Sequence, residues 1–269
     1  MKIMVLGVVL VFISWALIFG FPPLVRIFAF FPEKTDAEVT YSLDDNVSEI
    51  FITTQDGETL QCFYIEVPET EKTLIYFHGN AGNIYNRMDE LKRISQIGVN
   101  VLGVGYRGYG KSSGRATEEG IYNDGWAAFD YVVNDLGVEK ENLFLMGRSL
   151  GTTVTLNLAR NKNLGGLILI TPLTSAYEYA KSKNFGVFAR VAGNAFNSVK
   201  FSSDIQTKTL VIHGTADEVT PYWMGERIYD LLTTEKKFVT ISGGRHNCLE
   251  YTDSALYWGS IEEIIKGNN

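Results

Sequence analysis

The feature that most constrains the fold is an alternation of short apolar runs with helix-like stretches over residues 73–266. The apolar runs have the length of strands: TLIYFH (73–78), VNVLGVG (99–105), NLFLMG (142–147), GLILI (166–170), TLVIHG (209–214) and KFVTIS (237–242). The stretches between and after them predict helices near 84–97, 118–136, 150–161, 221–234 and 253–266. Strands buried on both faces and separated by helices indicate the α/β class, with a mostly parallel central sheet and helices on both faces.

Two further runs predict an antiparallel hairpin ahead of this alternation. SEIFITT and ETLQCFYIEV are separated by Gln55, Asp56 and Gly57, which are typical turn residues. We therefore expect one domain over residues 38–269. In sheets of this class ligands bind beyond the carboxyl ends of the strands, so the residues that follow each strand are the candidates for chemistry.

Composition removes several classes of function. The net charge is −7 and the isoelectric point is near 5.1, which gives no electrostatic footprint for nucleic acid. The two cysteines, Cys62 and Cys248, lie far apart and only three histidines are present, so neither a disulfide framework nor a zinc site is indicated. We expect no metal and no cofactor.

The first residues are typical of a membrane segment rather than of the domain. Residues 3–21 (IMVLGVVLVFISWALIFGF) carry no charge and, at about 1.5 Å per residue, would span about 28 Å of a bilayer core. A cleaved signal peptide is the alternative, but the small-x-small cleavage pattern is missing. The sequence predicts a single-pass transmembrane helix over 1–22 and a juxtamembrane collar over 23–37. Lys2 and Arg26 flank the apolar run evenly, so the side of the membrane stays open.

The glycine-rich stretch GVGYRGYGKSSG (103–114) matches three motifs at once. It contains the dinucleotide pattern GxGxxG, the phosphate-loop pattern GxxxxGKS and, as GKSSG, the nucleophile pattern GxSxG. The first two need a helix directly after them, yet helix-forming residues begin only near Thr117, and no strand leads directly to Ser112. The stretch is therefore interpreted as a tight loop after a strand, and we expect Lys111 to bind no nucleotide.

A second GxSxG pattern, GRSLG (147–151), has the context that the first one lacks. A predicted strand ends directly before Ser149 and a predicted helix begins directly after it. Gly147 and Gly151 are small enough for the strained turn that presents a nucleophilic serine. An idle serine in a glycine-lined turn is the alternative interpretation.

A serine nucleophile needs a base and an acid that orients the base, here in the chain order serine, acid, histidine. Asp217 follows the run TLVIHG, and His246 follows the run KFVTIS. Glu218 is the alternative acid, whereas His213 lies in its own strand and is expected to be a packed structural histidine. Ser149, Asp217 and His246 are therefore the predicted catalytic residues.

Two backbone N–H groups are predicted to form an oxyanion hole. One belongs to Leu150, directly after the serine, and the other to Asn80, in the turn HGNAGN after an earlier strand. His78 opens the same turn and is too early in the chain order to be the base.

The blocks FHGNAGN, YRGYGKSSG, GRSLG, GTADEVTP and GGRH, in this order and spacing, resemble the α/β-hydrolase superfamily. The resemblance covers residues 40–266 and is strongest to a branch of small membrane-associated serine hydrolases that includes protein depalmitoylases. It implies the α/β-hydrolase fold, gives Ser149, Asp217 and His246 the roles of nucleophile, acid and base, and makes residues 106–114 a structural loop. Gly105 stands where that loop often begins with aspartate, so a loop-anchoring contact is expected to be absent.

The alternation of strands and helices pauses over residues 172–206. A basic segment takes its place, with Phe185, Phe188, Phe196 and Phe201 interspersed. One interpretation is a short helical cap over Ser149 that lines an acyl pocket or touches a membrane. The other is a surface excursion whose aromatic side chains belong to the core.

Together these features predict a membrane-anchored serine hydrolase that cleaves carboxylic esters or thioesters through an acyl-enzyme. Its partners would be a small-molecule or acylated substrate and the membrane, with neither nucleic acid nor nucleotide. A peptidase and a catalytically silent binding module at the membrane are the alternatives. Because all proposed catalytic groups lie beyond residue 77, the amino-terminal segment is expected to act only as an anchor.

Overall fold

A computed structural model describes residues 29–185 and 187–267. The predicted transmembrane helix over residues 1–22 lies outside the described residues, as does the first part of the predicted collar. Within the described ranges, no helix combines the length and the apolar character that crossing a membrane requires.

The centre of the molecule is an eight-stranded sheet that is mostly parallel, as predicted. In chain order the strands are β1 (Phe31–Pro32), β2 (Val47–Thr53), β3 (Thr59–Ile65), β4 (Thr73–Phe77), β5 (Ala81–Gly82), β6 (Asn100–Val104), β7 (Leu143–Arg148), β8 (Gly166–Ile170), β9 (Thr209–Gly214) and β10 (Lys236–Ile241). The strands β1 and β5 form a separate parallel pair, and the others follow the order β10-β9-β8-β7-β4-β6-β3-β2. The strand β3 pairs antiparallel with both β2 and β6, so the predicted hairpin is confirmed.

Helices cover both faces of this sheet, which confirms the predicted layers. They are α1 (Met88–Ser95), α2 (Glu118–Asp130), α3 (Gly151–Ala159), α4 (Ala176–Ser182), α5 (Val187–Ala192), α6 (Ser198–Ser202), α7 (Tyr222–Leu231), α8 (Leu249–Thr252) and α9 (Ser254–Lys266). Leu74 and Tyr76 of β4 pack in the layer of α1 and α9, whereas Ile75 and Phe77 pack in the layer of α2, α3 and α7. This division follows from the alternation of side chains along a strand.

The parallel strands deliver the candidate residues to one edge of the sheet. Asn80 follows β4, Ser149 follows β7, Asp217 follows β9 and His246 follows β10. Parallel strands direct their carboxyl ends the same way, so loops that are far apart in sequence meet at this edge.

The predicted cap forms the short helices α4, α5 and α6 between β8 and β9. Some of its aromatic side chains fit the predicted surface excursion with core aromatics, and others fit the predicted cap. Phe196 and Phe201 are buried and belong to the core, whereas Phe185 is 54% exposed. The end of α4 lies beside the loop after β9 that carries Asp217, because Lys183 donates a hydrogen bond to the Glu218 carbonyl.

Candidate active site

Ser149 lies on a sharp turn between β7 and α3. Its φ is +52°, in the left-handed region that non-glycine residues rarely adopt and that recurs at functional sites. The flanking glycines make the turn possible: a Cβ on Gly147 would collide with the Gly151 backbone, and one on Gly151 with the Phe77 carbonyl. The Ser149 N–H donates to the Ile170 carbonyl at 2.9 Å. The motif thus folds into the strained strand-to-helix turn that its pattern predicts.

Asp217 and His246 are hydrogen-bonded to each other at the same edge. The His246 Nδ1 atom lies 2.8 Å from Asp217 Oδ2, and both side chains are almost fully buried. Since an ionised carboxylate only accepts hydrogen bonds, the bond assigns the proton to Nδ1 and leaves the lone pair on Nε2. This is the tautomer in which an imidazole accepts a proton from a nucleophile through Nε2.

Ser149 reaches this edge without a hydrogen bond to the imidazole. The hydrogen bonds of the His246 ring within the described residues run through Nδ1, to Asp217 and, at 3.2 Å, to Thr220 Oγ1. Thr220 Oγ1 also lies 3.0 Å from Asp217 Oδ2 and 3.3 Å from the carbonyl of Thr171, the residue directly after β8. A catalytic serine–histidine bond commonly tightens only when substrate binds.

The Asp217 carboxylate is held in one orientation by several donors. Its Oδ1 accepts the N–H groups of Val219 and Thr220, each at 2.8 Å. Its Oδ2 accepts from His246 and faces His213 Nε2 at 3.3 Å. Burial alone would raise the pKa of Asp217, but the hydrogen bonds from His213 and His246 outweigh it and hold the pKa well below 3.8. Asp217 is therefore ionised at neutral pH, as the orientation of an imidazole requires.

His213 contacts the acid, which the sequence reasoning missed. The side chain is fully buried, in agreement with the expected structural role. Its Nε2, however, lies 2.9 Å from the Thr220 carbonyl and 3.3 Å from Asp217 Oδ2, so one N–H serves both the loop and the acid. The four-residue spacing of His213 and Asp217 is the one sequence signal for this contact. The carboxylate of the alternative acid Glu218 pairs with Arg245 and reaches His246 at its backbone N–H, at 3.4 Å, rather than at the ring.

The predicted oxyanion hole consists of two N–H groups in adjacent loops. Neither the Asn80 nor the Leu150 N–H donates to an acceptor within the described backbone network. Leu150 is the amino-terminal cap of α3, where N–H groups have no partner inside the helix. The two loops lie close together, because a Cβ added to Gly79 would be in van der Waals contact with Ser149 Cβ, at 3.7 Å. Two unused donors beside a serine on such a turn suit a developing oxyanion.

His78 is buried beneath the Asn80 loop and supports it. Its Nδ1 lies 2.6 Å from the Gly79 carbonyl oxygen, and its ring packs against Tyr106 and Tyr109. Burial lowers the pKa of His78 to about 3, so the ring is neutral near pH 7. The contact with the Gly79 carbonyl orients the peptide whose N–H belongs to Asn80. His78 thus has a structural place rather than that of a base.

Arg148, inside the GRSLG motif, connects the serine turn to the histidine loop. The side chain is buried, and its Nη2 donates to the His246 carbonyl at 3.2 Å. Glu90 and Glu250 balance its charge, with carboxylate oxygens 3.3 Å and 3.4 Å from the guanidinium. Sequence reasoning missed this contact because the motif leaves the position of Arg148 unspecified.

The polar side chains of the stretch 103–114 that its motifs would use, Lys111 and Ser112, make structural contacts. Ser112 Oγ accepts the Gln61 N–H at 2.8 Å and donates to the Gly105 carbonyl at 3.0 Å. Lys111 Nζ lies 2.8 Å from a Glu49 carboxylate oxygen, and its side chain is 6% exposed. The next helix begins at Glu118, too far along the chain to hold a phosphate in this loop. These contacts support the interpretation of a structural loop.

Replacing Lys111 with methionine is expected to lower stability without changing catalytic turnover. The change leaves the partly buried Glu49 carboxylate without its cation, which costs about 1–3 kcal/mol in the free energy of unfolding. Urea unfolding measures this loss, and turnover of a soluble ester measures activity. Micromolar, magnesium-dependent ATP binding to the wild type that disappears in Lys111→Met would contradict the structural interpretation and favour a nucleotide site.

A mostly parallel eight-stranded sheet, a serine on a strained turn after β7 and an acid–histidine pair beyond β9 and β10 together define an α/β-hydrolase. The family model described as "Serine aminopeptidase, S33" matches residues 68–205. The chain belongs to this family, within the α/β-hydrolase superfamily that its sequence motifs resemble.

Relatives and solved structures agree with this assignment. The chain is 30% identical over 235 residues to alpha/beta hydrolase domain-containing protein 17C of Mus musculus, covering 87% of this chain and 72% of the relative. It is 31% identical over 226 residues to an uncharacterized protein of Acanthamoeba polyphaga mimivirus, covering 76% of each. An esterase of Pyrococcus furiosus has the same fold, with a TM-score of 0.73 over 88% of this chain and 97% of that one, at 17% identity.

Proposed function

We propose that the protein is a serine hydrolase that cleaves carboxylic esters or thioesters through an acyl-enzyme. The observation that carries the proposal is the 2.8 Å bond between His246 Nδ1 and Asp217 at the edge where Ser149 occupies its strained turn. A bond of this kind fixes the tautomer that a serine nucleophile needs. The N–H groups of Asn80 and Leu150, which have no acceptor in the described part of the chain, add the donors for the oxyanion.

The reaction follows from these roles. Ser149 Oγ forms a bond to the acyl carbon while its proton passes to His246 Nε2, and the carbonyl electron pair moves to the oxygen that Asn80 and Leu150 stabilise. The intermediate then collapses, the bond to the leaving alkoxide or thiolate breaks, and His246 returns the proton to it. Water attacks the acyl-enzyme with His246 again as the base, releasing the acid and Ser149. His246 carries every proton, so the cycle requires no metal or cofactor.

A membrane-associated acyl substrate is the substrate class that the surroundings of the site favour. The apolar residues 3–21 would hold the domain at a bilayer, where long acyl chains partition. On the cap, Phe185 and Tyr177 expose 54% and 40% of their surface, as a segment that meets an acyl chain requires. The resemblance to protein depalmitoylases points the same way. The description of the matched family favours cleavage of an amide bond as the second candidate.

Three substrate types distinguish these candidates in the full-length protein. The panel consists of a soluble short-chain ester, a palmitoyl thioester peptide in neutral vesicles and an aminoacyl anilide, each corrected for the rate of Ser149→Ala. We expect kcat/KM for the ester and the thioester to exceed that for the anilide by about 100-fold or more, because alkoxide and thiolate leave more easily than an amine. Comparable turnover of the anilide would favour the peptidase, and an inert thioester would remove the depalmitoylase-like substrate class.

A further inference from the structure

The described chain begins with a segment that crosses the loop of Asn80. Residues 30–35 are named the strap. Its strand β1 pairs in parallel with β5 in that loop. The Phe31 N–H donates to the Asn80 carbonyl at 2.9 Å, and the Glu33 N–H donates to the Gly82 carbonyl at 2.9 Å. The strap therefore adds a strand to the loop that carries the proposed oxyanion donor.

The second half of the strap is fixed to the loop after β6. Thr35 N–H donates to the Gly110 carbonyl at 3.0 Å, and Gly110 N–H donates to the Glu33 carbonyl at 2.8 Å. Lys34 Nζ donates to the Ser112 carbonyl at 3.1 Å. The strap thus joins the Asn80 loop to the structural loop.

A third contact ties the strap to the cap. Phe30 is 7% exposed, and its ring packs edge-on against Phe196 with the ring centroids 5.7 Å apart. The Phe196 N–H donates to a Glu118 carboxylate oxygen at 2.7 Å. The strap is therefore held on three sides, and its own position is defined by the folded domain.

The contacts at Asn80 fix the direction of its N–H group. The Asn80 carbonyl accepts both the Phe31 N–H, at 2.9 Å, and the Tyr109 hydroxyl, at 2.7 Å. The preceding carbonyl, that of Gly79, faces His78 Nδ1. With both carbonyls held, neither peptide plane rotates freely. In a trans peptide the Asn80 N–H points opposite to the Gly79 carbonyl, so its direction is held as well.

We propose that the strap is a positioning element of the oxyanion hole, which aims the Asn80 N–H at the charge that develops on the substrate. This inference rests on the proposed function, because it assigns the strap a part in the same catalytic step. It replaces the expectation that the amino-terminal segment acts only as an anchor. The chain that leads from the apolar residues 3–21 into the domain is itself a support of the active site.

Two substitutions at Phe31 in the full-length chain separate the effect of its N–H group on catalysis from the effect of its side chain. Phe31→Ala removes a ring that is 52% exposed and keeps the N–H. Phe31→Pro removes the ring as well, but it also removes the donor and places a ring carbon against the Asn80 carbonyl. Loss of one oxyanion donor costs about 100- to 1,000-fold in kcat. We expect a displaced donor to cost less, with kcat of the proline variant about 10-fold or more below that of the alanine variant and KM within about twofold.

Tyr109→Phe provides a second test that leaves the backbone unchanged. It removes only the hydroxyl that shares the Asn80 carbonyl, and we expect kcat to fall by about 3- to 10-fold. A trifluoromethyl ketone, which forms a tetrahedral oxyanion adduct with a serine, should lose affinity by the same factor as kcat/KM in each variant. The double variant should lose less than the product of the single losses, because both changes act through one carbonyl.

The outcomes distinguish the strap from the proposed function. If folded Phe31→Pro and Tyr109→Phe keep wild-type kcat and analogue affinity while Ser149→Ala is inactive, the strap has no positioning role. If Phe31→Pro does not fold, Tyr109→Phe decides the question through the same two measurements. A lower unfolding temperature with unchanged kcat/KM and unchanged analogue affinity would indicate a structural role only. Turnover that persists in Ser149→Ala would overturn the proposed function and the strap inference together.

Discussion

Replacing Ser149 with alanine is expected to lower ester turnover by about 10⁴-fold or more and to abolish labelling by an active-serine phosphonate. The acyl-enzyme cannot form without the Ser149 hydroxyl, so only the binding of substrate and the oxyanion donors would assist attack by water. The left-handed backbone at position 149, with a φ of +52°, is as unfavourable for alanine as for serine. The fold alone therefore gives no reason for a serine at this position. Steady-state turnover of a soluble ester and phosphonate labelling measure the effect.

The serine of the other GxSxG pattern provides the matched control. Ser112 is buried, and its hydroxyl is hydrogen-bonded to Gln61 and Gly105. Ser112→Ala should therefore lower stability by about 1–3 kcal/mol and leave phosphonate labelling intact. Undiminished turnover in a folded Ser149→Ala protein, or a label on Ser112, would end the interpretation of Ser149 as the nucleophile.

Much of the fold follows from local patterns in the sequence. GLILI is strand β8 with the bounds that its apolar run predicts, because a parallel strand buried on both faces reads as continuous apolar sequence. The predicted strand 142–147 is displaced by one residue, to Leu143–Arg148. Asn142 ends a short 3₁₀ turn that begins at Lys140, and no apolar pattern marks that boundary.

The candidate residues were predictable because each lies in the turn or loop that follows a strand, whereas the contacts that hold them were not. Arg148 meets the His246 carbonyl across 98 residues of sequence. The strap contacts Asn80 through the N–H of Phe31, a group that every residue except proline carries. Contacts of this kind depend on tertiary structure and on backbone atoms, so residue types and spacing do not reveal them.

The loop after β6 corrects one expectation. An anchoring contact was expected to be absent because Gly105 replaces aspartate, yet the loop is anchored through Arg107. Its Nε lies 2.7 Å from an Asp124 oxygen, and its N–H donates to the same carboxylate at 2.8 Å. Position 105 favours glycine for a steric reason, because an added Cβ would lie 2.6 Å from the Gln61 carbonyl. The anchoring charge comes from α2 rather than from the start of the loop.

Replacing Asp217 with asparagine is expected to lower kcat by about 10³- to 10⁴-fold with little change in KM. The N–H groups of Val219 and Thr220, each 2.8 Å from Oδ1, require an oxygen at that position. The asparagine NH₂ must then occupy the place of Oδ2, which lies 2.8 Å from His246 Nδ1. Facing a donor, Nδ1 becomes the acceptor and the proton moves to Nε2. An imidazole protonated on Nε2 cannot take the proton of Ser149, so the chemical step fails while substrate still binds.

Glu218→Gln is the matched control for Asp217→Asn, because it makes the same chemical change in the adjacent residue. The Glu218 carboxylate is exposed and contacts Arg245 and the backbone N–H of His246, so it does not touch the imidazole. We expect its kcat to stay within about threefold of the wild type, since exposed ion pairs contribute little. Steady-state kinetics of both variants on one soluble ester decide the assignment. A larger loss in Glu218→Gln than in Asp217→Asn would make Glu218 the acid, and the hydrogen bonds around Asp217 would then be structural.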